Sequence, residues 1–427
     1  MNIEQLYEIY RNHPSVQTDT RKLQGGDLFF ALKGPNFNGN AFAHAALKQG
    51  AAYAIVDEAP ADPHPNILVV ENSLETLQQL AKFHRSKFSI PFIAITGSNG
   101  KTTTKELVHA VLATSFKTYT TQGNLNNHIG IPLTILQVRP DAEMAVIEMG
   151  ANHRGEIASY CKYTLPTHGI ITNCGKAHLE GFGGEEGVRK GKGELFDYLR
   201  SNGGTAFVMW DYEYLREMSR GIKTIIKYGT SGADVEGNVT QSEPFLEVAI
   251  TKGAQIPFIS TRLVGQYNLP NVLVAVCVGK HLGVSDEHIR NAIESYTPSN
   301  SRSQLLEKET NKIILDAYNA NPSSMKLAIE NLAKLPASSK VLMLGGMAEL
   351  GEGSLQEHMS IVELISRYKW KDVVLVGGDF LKIKHPYLSF NDAREAAGWY
   401  RNQHLQNAYI LIKGSRSMQM EKVLEEG

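Results

Sequence analysis

The sequence has no excess of charge of either sign. Its 427 residues carry 43 Lys and Arg against 44 Asp and Glu, and the formal net charge is −1 with His neutral. A chain so evenly balanced creates no general field that would attract a nucleic acid or an anionic membrane surface. Neither is therefore expected as a partner.

Long apolar runs and cysteines are also scarce. No run is long enough to span a bilayer, and residues 1–14 mix charged with apolar side chains, unlike the apolar core of a signal peptide. Cys161, Cys174 and Cys277 are odd in number and far apart, which argues against a disulfide framework and fits a reducing compartment. We expect a cytoplasmic protein without membrane insertion, whose cysteines are buried apolar side chains.

The chain has no fixed-period repeat and no low-complexity tract, and its length allows two to four domains, each with a core of its own. Strand and helix patterns alternate, which predicts an α/β fold. Pro91 ends one helical pattern, and a polar break follows at Thr297–Ser301. We predict a small α/β domain at residues 1–89, a central parallel-sheet domain at 90–298 with an appended antiparallel β element at 235–264, and a Rossmann-like domain at 299–427.

Hydrophobic periodicity predicts the individual elements. Strands are predicted at residues 27–32, 52–56, 67–70, 92–95, 145–148, 169–173, 312–315, 341–344, 373–376 and 409–412, and helices at 74–88, 101–116, 269–282 and 285–296. Each of the last four strands is expected to lead into a helix. No G-x-G-x-x-G motif opens the third domain, so no dinucleotide is inferred.

The most informative stretch is Ile93–Thr104, where an apolar strand breaks into a glycine turn and continues as a helix. Gly97 and Gly100 let backbone N–H groups bend around an anion, while the new helix points its positive end at the same place. Lys101 adds a charge for a terminal phosphate, and the Thr102 hydroxyl can ligate magnesium. The alternative is a plain strand–turn–helix connection. The combination favours a contracted G-x-x-G-K-T-T phosphate loop in a P-loop ATPase-like central domain, with nucleotide contacts from Gly97, Ser98, Asn99, Gly100, Lys101, Thr102 and Thr103.

Polar side chains follow two further predicted strands of the central domain. Glu148 ends one strand, and Asn173 and His178 follow the next. Because ligands of open α/β sheets lie at the carboxyl ends of the strands, we expect these three residues beside the phosphate loop. A buried Glu148 would need a cation such as Mg²⁺, although a solvated carboxylate is the commoner case. His178 could bind a metal or form a hydrogen bond within its loop.

Other polar residues allow two interpretations. Lys192 lies between glycines, where a solvated lysine is the default. Asn268 and Asn271 flank a helix start and could contact adenine or cap the helix. The segments Thr18–Arg21 and Lys33–Asn40 could bind a nucleotide or sugar, or could serve only as turns.

The third domain also presents polar groups after its strands. Asp316–Pro322 follows one predicted strand, and Lys413–Arg416 follows the last one. The second segment combines two cations with small residues, which suits an anionic or carboxylate-bearing substrate.

The order of these motifs resembles that of the Mur ligase family and, among its members, the MurF type. The resemblance extends over all three predicted domains. Its most discriminating parts are Tyr318–Pro322 and Glu349–Gly351, and the Asp-Asn-Pro-x-Arg signature expected of the enzyme that adds the third residue is not found. In chain order, the matching segments are Gly97–Thr103, Gly123–Pro132, Glu148, His178, Lys192, Tyr318–Pro322, Met347–Gly351 and Lys413–Arg416.

The resemblance implies an ATP-dependent amide ligase of peptidoglycan precursor synthesis. Its substrates would be UDP-N-acetylmuramoyl-tripeptide and D-alanyl-D-alanine. The γ-phosphoryl group would pass to the tripeptide carboxylate, and the dipeptide amine would attack the acyl phosphate and release phosphate. ATP, two Mg²⁺ ions and a monomeric enzyme are expected.

The same resemblance implies the roles of individual residues. The catalytic residues would be Lys101, Glu148, His178 and Lys192. Thr102 and Glu148 would hold one Mg²⁺, and His178 with a carbamylated Lys192 would hold the other. The remaining contacts would be Thr20, Arg21, Asn38, Gly39 and Asn40 for the uridine nucleotide, Asn268, Asn271 and Arg302 for the adenosine and phosphates, Asn319, Asn321, Lys413, Ser415 and Arg416 for the dipeptide or acyl phosphate, and Asn124 and Asn126 as further substrate contacts.

The chain departs from the family pattern in places. Tyr267 stands where His is usual, Leu315 where a second acid is common, and Gly346 where Asp is frequent. Asn38–Asn40 differs from the usual Asp-Gly-His. We interpret these differences as variation within the lineage.

Two classes of rival function are open. The first is another ligase of the superfamily, such as a different Mur ligase or a folylpolyglutamate synthase, although the latter lacks a separate uridine-binding unit like the one expected at residues 1–89. The second is a non-catalytic nucleotide-binding switch or transport ATPase. Such a protein would need no additional domain that brings Lys and Arg to the phosphate site.

Overall fold

The structure is a computed structural model that describes residues 1–299 and 301–425. It contains three α/β units, each built on its own sheet, which confirms the predicted fold class. Asn300, in the break predicted at Thr297–Ser301, lies outside the described residues. Within residues 1–299 and 301–425, no helix is both long and apolar enough to cross a membrane.

The first unit begins with a helix that the sequence analysis missed. Its signal is a capping box, in which the Asn2 side chain accepts from the Gln5 N–H at 2.9 Å and the Gln5 side chain accepts from the Asn2 N–H at 3.0 Å. The elements are α1 (Ile3–Asn12), β1 (Val16–Gln17), β2 (Leu28–Phe30), β3 (Lys33–Gly34), β4 (Phe37–Asn38), α2 (Ala43–Lys48), β5 (Tyr53–Val56), β6 (Ile67–Val69) and α3 (Ser73–Arg85). The parallel sheet has the order β1-β2-β5-β6, and β3 pairs with β4 in a small hairpin. The three strands predicted here are confirmed with shorter bounds.

The central unit is built on a sheet of nine strands. Its elements are β7 (Phe92–Thr96), α4 (Lys101–Ala113), β8 (Thr118–Thr120), α5 (Gly130–Gln137), β9 (Met144–Glu148), α6 (Glu156–Thr164), β10 (His168–Ile171), α7 (Leu179–Phe182), α8 (Glu185–Asn202), β11 (Thr205–Met209), α9 (Glu213–Met218), β12 (Thr224–Gly229), β13 (Val235–Gln241), β14 (Glu247–Lys252), β15 (Ile259–Ser260), α10 (Leu269–His281) and α11 (Asp286–Ser295). The order is β15-β14-β13-β12-β11-β10-β7-β9-β8, with β14 and β15 antiparallel at one edge as predicted. The chain order reverses around β7, so a crevice opens at its carboxyl end.

The third unit has a sheet in the order β16-β17-β21-β18-β19-β20, parallel except for β16. Its elements are β16 (Gln304–Lys308), β17 (Asn311–Asp316), α12 (Pro322–Lys334), β18 (Lys340–Gly345), α13 (Ser354–Ser366), β19 (Asp372–Val376), β20 (Leu388–Phe390), α14 (Ala393–Asn402) and β21 (Tyr409–Lys413). The prediction of a helix after β21 is wrong. Two short 3₁₀ turns, Arg416–Met418 and Met420–Leu424, follow instead, because Gln419 between them is left-handed at φ 49° and interrupts the helix.

The apolar core does not follow the predicted division into domains. One buried cluster runs from Leu6 and Tyr10 of α1 through Leu77 of α3 into Leu136 and Ile157 of the central unit. The first unit also packs a separate buried cluster that includes Phe29, Ala54 and Val56. It therefore has a core of its own, as expected, and shares a second cluster with the central unit. The third unit packs apolar clusters on the two faces of its sheet, and one of them also includes Val264 of the central unit.

Candidate active site

A cavity of about 910 Å³ opens where the third unit faces the carboxyl ends of β7, β9 and β10. The central unit contributes Ser98–Thr104, Asn126, Glu148 and His178, and the third unit contributes Asp316, Asn319, Asn321 and Lys413. The predicted position of Glu148, Asn173 and His178 beside the phosphate loop is borne out, since all three line this cavity.

The phosphate loop is held in one shape by its neighbour β10. Gly97 has φ 145°, and a Cβ there would lie 1.9 Å from Thr172 Oγ1. Asn173 accepts from the Ser98 N–H at 2.9 Å through its carbonyl and from the Asn99 N–H at 3.1 Å through its side chain. The Lys101 ammonium lies over the loop and donates to the Gly97 carbonyl at 2.8 Å. The loop therefore offers a preformed turn, a helix N-terminus and a cation at one point.

Glu148 is a buried carboxylate with neutral partners. It is 1% exposed, and its oxygens accept from the Thr102 hydroxyl at 2.9 Å and from the Asn126 amide at 2.8 Å. Neither donor is charged, so these hydrogen bonds do not neutralise the negative charge of Glu148. A cation bound beside the carboxylate would neutralise it. Across residues 1–299 and 301–425, no group of three or more His, Cys, Asp or Glu side chains is placed to hold a metal ion.

Lys192 is not a solvated lysine, and that default interpretation is wrong. It is 1% exposed, its ammonium donates to the Ala151 carbonyl at 2.8 Å, and it lies 4.9 Å from the centre of the Phe182 ring. Burial lowers the pKa of Lys192 to about 7, and the charge of Lys101 acts in the same direction. Burial also lowers the pKa of Lys101, against the opposing effect of Glu148.

His178 meets the third unit. Its Nδ1 lies 2.6 Å from Glu349 Oε2, which is within ion-pair distance when the imidazole is protonated. This contact lowers the pKa of Glu349. The sequence analysis gave Glu349 no role, although it lies in the Met347–Gly351 motif after β18. Since Nδ1 faces Glu349, Nε2 is the ring atom left for a metal.

Asn268 and Asn271 line the cavity, yet their side chains bind one another. The Asn271 amide donates to Asn268 Oδ1 at 2.8 Å, and Asn271 Oδ1 accepts from the Thr104 hydroxyl at 3.0 Å. Asn268 occupies the position before α10 without a capping hydrogen bond from its side chain, so the capping interpretation is wrong for Asn268. Close by, the Arg302 guanidinium lies 3.5 Å from the centre of the Tyr318 ring.

The third unit reaches the phosphate loop directly. The Asn321 amide donates to Asn99 Oδ1 at 2.8 Å. Lys413 is 1% exposed and its ammonium is paired with Asp316 at 2.5 Å. Asn319 also lines the cavity, and its carbonyl accepts from Lys413 at 3.2 Å.

Two residues predicted with Lys413 lie elsewhere. The Ser415 hydroxyl is buried and donates to the Gly346 carbonyl at 2.7 Å, and Arg416 pairs with Glu421 at 2.8 Å. Neither lines the cavity. A Cβ at Gly346 would lie 2.9 Å from Gly378 Cα, so a side chain such as Asp would require the backbone at Gly378 to shift.

The predicted uridine contacts lie on the first unit, away from the cavity lining. They follow strand ends and bind acidic neighbours: Arg21 pairs with Asp19 at 2.8 Å, the Asn38 amide donates to Glu58 at 2.9 Å, and the Asn40 amide donates to Asp57 at 2.8 Å. Thr20 is in the short 3₁₀ turn Thr20–Lys22. A Cβ at Gly39 would lie 2.5 Å from the Leu32 carbonyl oxygen, so only glycine fits there. Asn124 also lies outside the lining, whereas Asn126 is part of it.

Comparisons with known proteins match the whole length of the chain. Family models described as "Mur ligase family, catalytic domain", "Mur ligase middle domain" and "Mur ligase, glutamate ligase domain" match residues 14–85, 95–279 and 301–416. The UDP-N-acetylmuramoyl-tripeptide--D-alanyl-D-alanine ligase of Bacillus subtilis (strain 168) is 33% identical over 96% of this chain and 92% of its own length.

Solved structures agree with this match. A crystal structure of MurF from Acinetobacter baumannii has a TM-score of 0.90 at 30% identity and covers 99% of this chain and 97% of its own. MurF ligase from Thermotoga maritima in complex with ADP has a TM-score of 0.86 at 29% identity, with 96% of each chain covered. The chain therefore belongs to the Mur ligase family, within its MurF group.

Proposed function

We propose that this chain joins D-alanyl-D-alanine to UDP-N-acetylmuramoyl-tripeptide in an ATP-dependent, ADP-forming reaction. The relatives that support the proposal carry this activity in their names and match the chain over nearly its full length. The observation that carries it is the single cavity in which a phosphate loop, a buried carboxylate and the polar strand ends of the third unit meet. The reaction requires all three in one place.

The chemistry follows from those parts. A carboxylate oxygen of the tripeptide attacks the γ-phosphorus of ATP, and the bond to the β-phosphate oxygen breaks, which leaves ADP and an acyl phosphate. The dipeptide amine then attacks the acyl carbon, loses a proton and expels phosphate. Lys101 and the loop N–H groups neutralise the charge that develops on the transferred group, and docking of the third unit keeps water from the acyl phosphate.

The donor chemistry at Glu148 fits a magnesium ion. Thr102 and Glu148 would hold one ion, and the free Nε2 of His178 with Lys192 would help to hold a second. A bound Mg²⁺ supplies charge neutralisation between the phosphate oxygens.

Carbamylation of Lys192 would give that residue its ligand role. A neutral amine adds CO₂ and releases a proton, and the product carries a negative charge on two oxygens. The pKa of about 7 supports this step, because much of Lys192 is then neutral near pH 7. A lysine with the ordinary value of 10.5 would be almost wholly protonated.

We assign the three units to three tasks. Residues 1–89 would hold the uridine nucleotide through Thr20, Arg21 and Asn38–Asn40, residues 90–298 would bind ATP, and residues 299–427 would bring the dipeptide. Asn319, Asn321 and Lys413 would contact the dipeptide or acyl phosphate. Arg302, Asn268 and Asn271 would lie along the adenosine, with the stacked Tyr318 ring beside them. A monomeric state and a cytoplasmic location stay predictions.

Phosphate release tests the proposal. Purified protein with ATP and Mg²⁺ should release ADP and phosphate only when UDP-N-acetylmuramoyl-tripeptide and D-alanyl-D-alanine are both present. Release without both substrates would overturn the ligase function and favour an ATPase or another ligase. Lys101→Ala should abolish release, whereas Lys117→Ala, an exposed lysine paired with Asp141, should not change it.

A further inference from the structure

The loop from Thr172 to His178, which joins β10 to α7, is held by the third unit at three points. The Lys176 N–H donates to the Ser323 hydroxyl at 2.9 Å, and the Lys176 ammonium pairs with Glu357 at 2.6 Å. His178 Nδ1 meets Glu349 at 2.6 Å. These partners come from the start of α12, from α13 and from the segment after β18, so the third unit surrounds the loop.

The same loop is tied to the phosphate loop and to the body of the central unit. Ser98 donates its hydroxyl proton to the Gly175 carbonyl at 2.9 Å, and the Cys174 N–H donates to the Tyr214 hydroxyl at 3.1 Å. A Cβ at Gly175 would lie 2.8 Å from Ser323 Oγ, so the loop and α12 approach closely. The loop thus connects third-unit docking with the ATP site through a short chain of contacts.

His178 requires outside support to hold its position. Its backbone is left-handed at φ 51°, which L-residues with a Cβ rarely adopt. Lys176 lies two residues before it and does not line the cavity. Glu357 is 16% exposed on its side chain, so the ion pair with Lys176 is partly shielded from water.

We infer that Lys176 is a positioning residue, which uses its ion pair with Glu357 to fix the His178 loop when the third unit docks. The inference rests on the proposed function, because it gives the fixed loop a role in phosphoryl transfer. Lys176 touches neither ATP nor substrate in this role. Its ion pair couples docking of the third unit to the position of His178, so that His178 takes its working position when the third unit is docked.

Charge reversal and charge exchange test the pair. K176E should lower kcat about tenfold, because Glu357 and the nearby Glu185 then repel the new carboxylate. The KM for the UDP-linked substrate should hardly change, since the first unit binds the uridine. E357K should have a similar effect, and the double variant K176E/E357K should recover to within about threefold of wild type. The control K326E, which breaks a pair with Glu330 inside α12 alone, should leave kcat unchanged.

Hydrogen exchange separates this inference from the proposed function. Amides 173–178 should be protected in wild type with ATP and Mg²⁺, lose protection in K176E, and regain it in K176E/E357K. Equal kcat and equal protection in K176E and wild type would overturn the inference, as would a double variant no better than K176E. If wild type released no phosphate with both substrates, the proposed function would fail, and the exchange pattern alone would decide whether Lys176 fixes the loop.

Discussion

At the scale of single residues, the burial of Lys192 has a measurable consequence. Its ammonium donates to a carbonyl instead of pairing with a carboxylate, and its pKa falls to about 7. We predict that ¹³C-labelled CO₂, held at constant dissolved concentration, gives a carbamate NMR signal on Lys192 that rises with pH. The neutral amine is the form that adds CO₂, and it becomes the majority above the pKa, so the signal should already be present near pH 7.

Lys192→Met is the control and should lack the signal. A signal that appears only above about pH 9 would mean that the residue titrates like an ordinary lysine and would contradict the prediction. In buffer free of bicarbonate, the free energy of unfolding should rise between about pH 7 and the ordinary value of 10.5. The unfolded chain binds one proton more than the folded chain in that window, so higher pH favours the folded state.

Glu148→Gln should weaken magnesium binding at the site while keeping a side chain of nearly the same size. The charge is lost, so we expect kcat to fall by about 100-fold or more and the half-activating Mg²⁺ concentration to rise about tenfold. A titration of phosphate release with Mg²⁺ measures both. Glu156→Gln is a matched control, because Glu156 also lines the cavity but accepts only backbone N–H groups from Asn152 and His153. Equal responses of the two variants would argue against a cation at Glu148.

The cavity residues whose position the sequence predicts share one property. Lys101, Thr102 and Glu148 lie in a local motif or at a strand end, where the sheet topology alone decides their position. Asn271 also accepts a hydrogen bond from Thr104, which lies 167 residues away in the chain, and no local pattern reports such a contact. The position of Ser415 outside the cavity was not predicted for the same reason, since it depends on a hydrogen bond to the distant Gly346 carbonyl.

At the scale of elements, the turn between β7 and α4 depends on Gly97. A Cβ would lie 1.9 Å from Thr172 Oγ1 and would require an unfavourable φ of 145°. Thr172 cannot move freely, because its hydroxyl donates to the Asn99 carbonyl at 2.6 Å. We predict that Gly97→Ala weakens ATP binding about 30-fold or more and costs about 2–4 kcal/mol of unfolding free energy. Calorimetric titration and urea unfolding measure the two effects.

Gly398→Ala, in the interior of α14, is the control for this substitution. A Cβ there meets nothing within 4 Å, so the variant should gain about 0.5–1 kcal/mol from helix propensity and bind ATP normally. Normal ATP binding by Gly97→Ala would show that the loop tolerates a side chain.

Element prediction from the sequence succeeded for several buried strands, missed β11 and α8 in the middle of the chain, and failed at both chain ends. Apolar runs such as Phe92–Thr96 and Val373–Val376 identify strands because both faces of the sheet are covered. The segment after β21 carries helix-forming residues, yet Met420 and Val423 are buried in the third-unit core through two 3₁₀ turns. In that segment, tertiary packing overrides the local helix propensity.

At the scale of the whole molecule, the first two units are joined far more firmly than the predicted domain boundary after residue 89 implies. The Arg85 guanidinium donates to the carbonyls of Phe88, Thr164 and Leu165 at 2.7–2.9 Å. His84 Nε2 lies 2.8 Å from the Val138 carbonyl, and the apolar cluster continues across this junction. The sequence locates the junction from Pro91, but the packing across it involves residues about 80 positions apart, as in the bond of Arg85 to Leu165.

The third unit meets the phosphate side of the central unit through polar contacts at Asn321, Ser323, Glu349 and Glu357. Its apolar contact with the central unit is smaller and involves Leu179, Phe245 and Val264. Polar contacts of this kind are individually weak and exchange readily with water. Opening should therefore separate the third unit and leave the first two together.

We predict that hydrogen exchange resolves this difference between the two junctions. Amides at residues 80–88 and 136–139 should be protected without ligands and should not change on adding ATP, Mg²⁺ and both substrates, because the shared core opens only on global unfolding. Amides at residues 173–180 and 347–358 should gain protection under the same conditions, since ligands that bind between the units favour the docked state. Arg85→Met, which removes three hydrogen bonds to carbonyls, should raise exchange at residues 80–88 alone. Equal ligand-dependent changes in exchange at both junctions would contradict the prediction, because they would mean that all three units move independently.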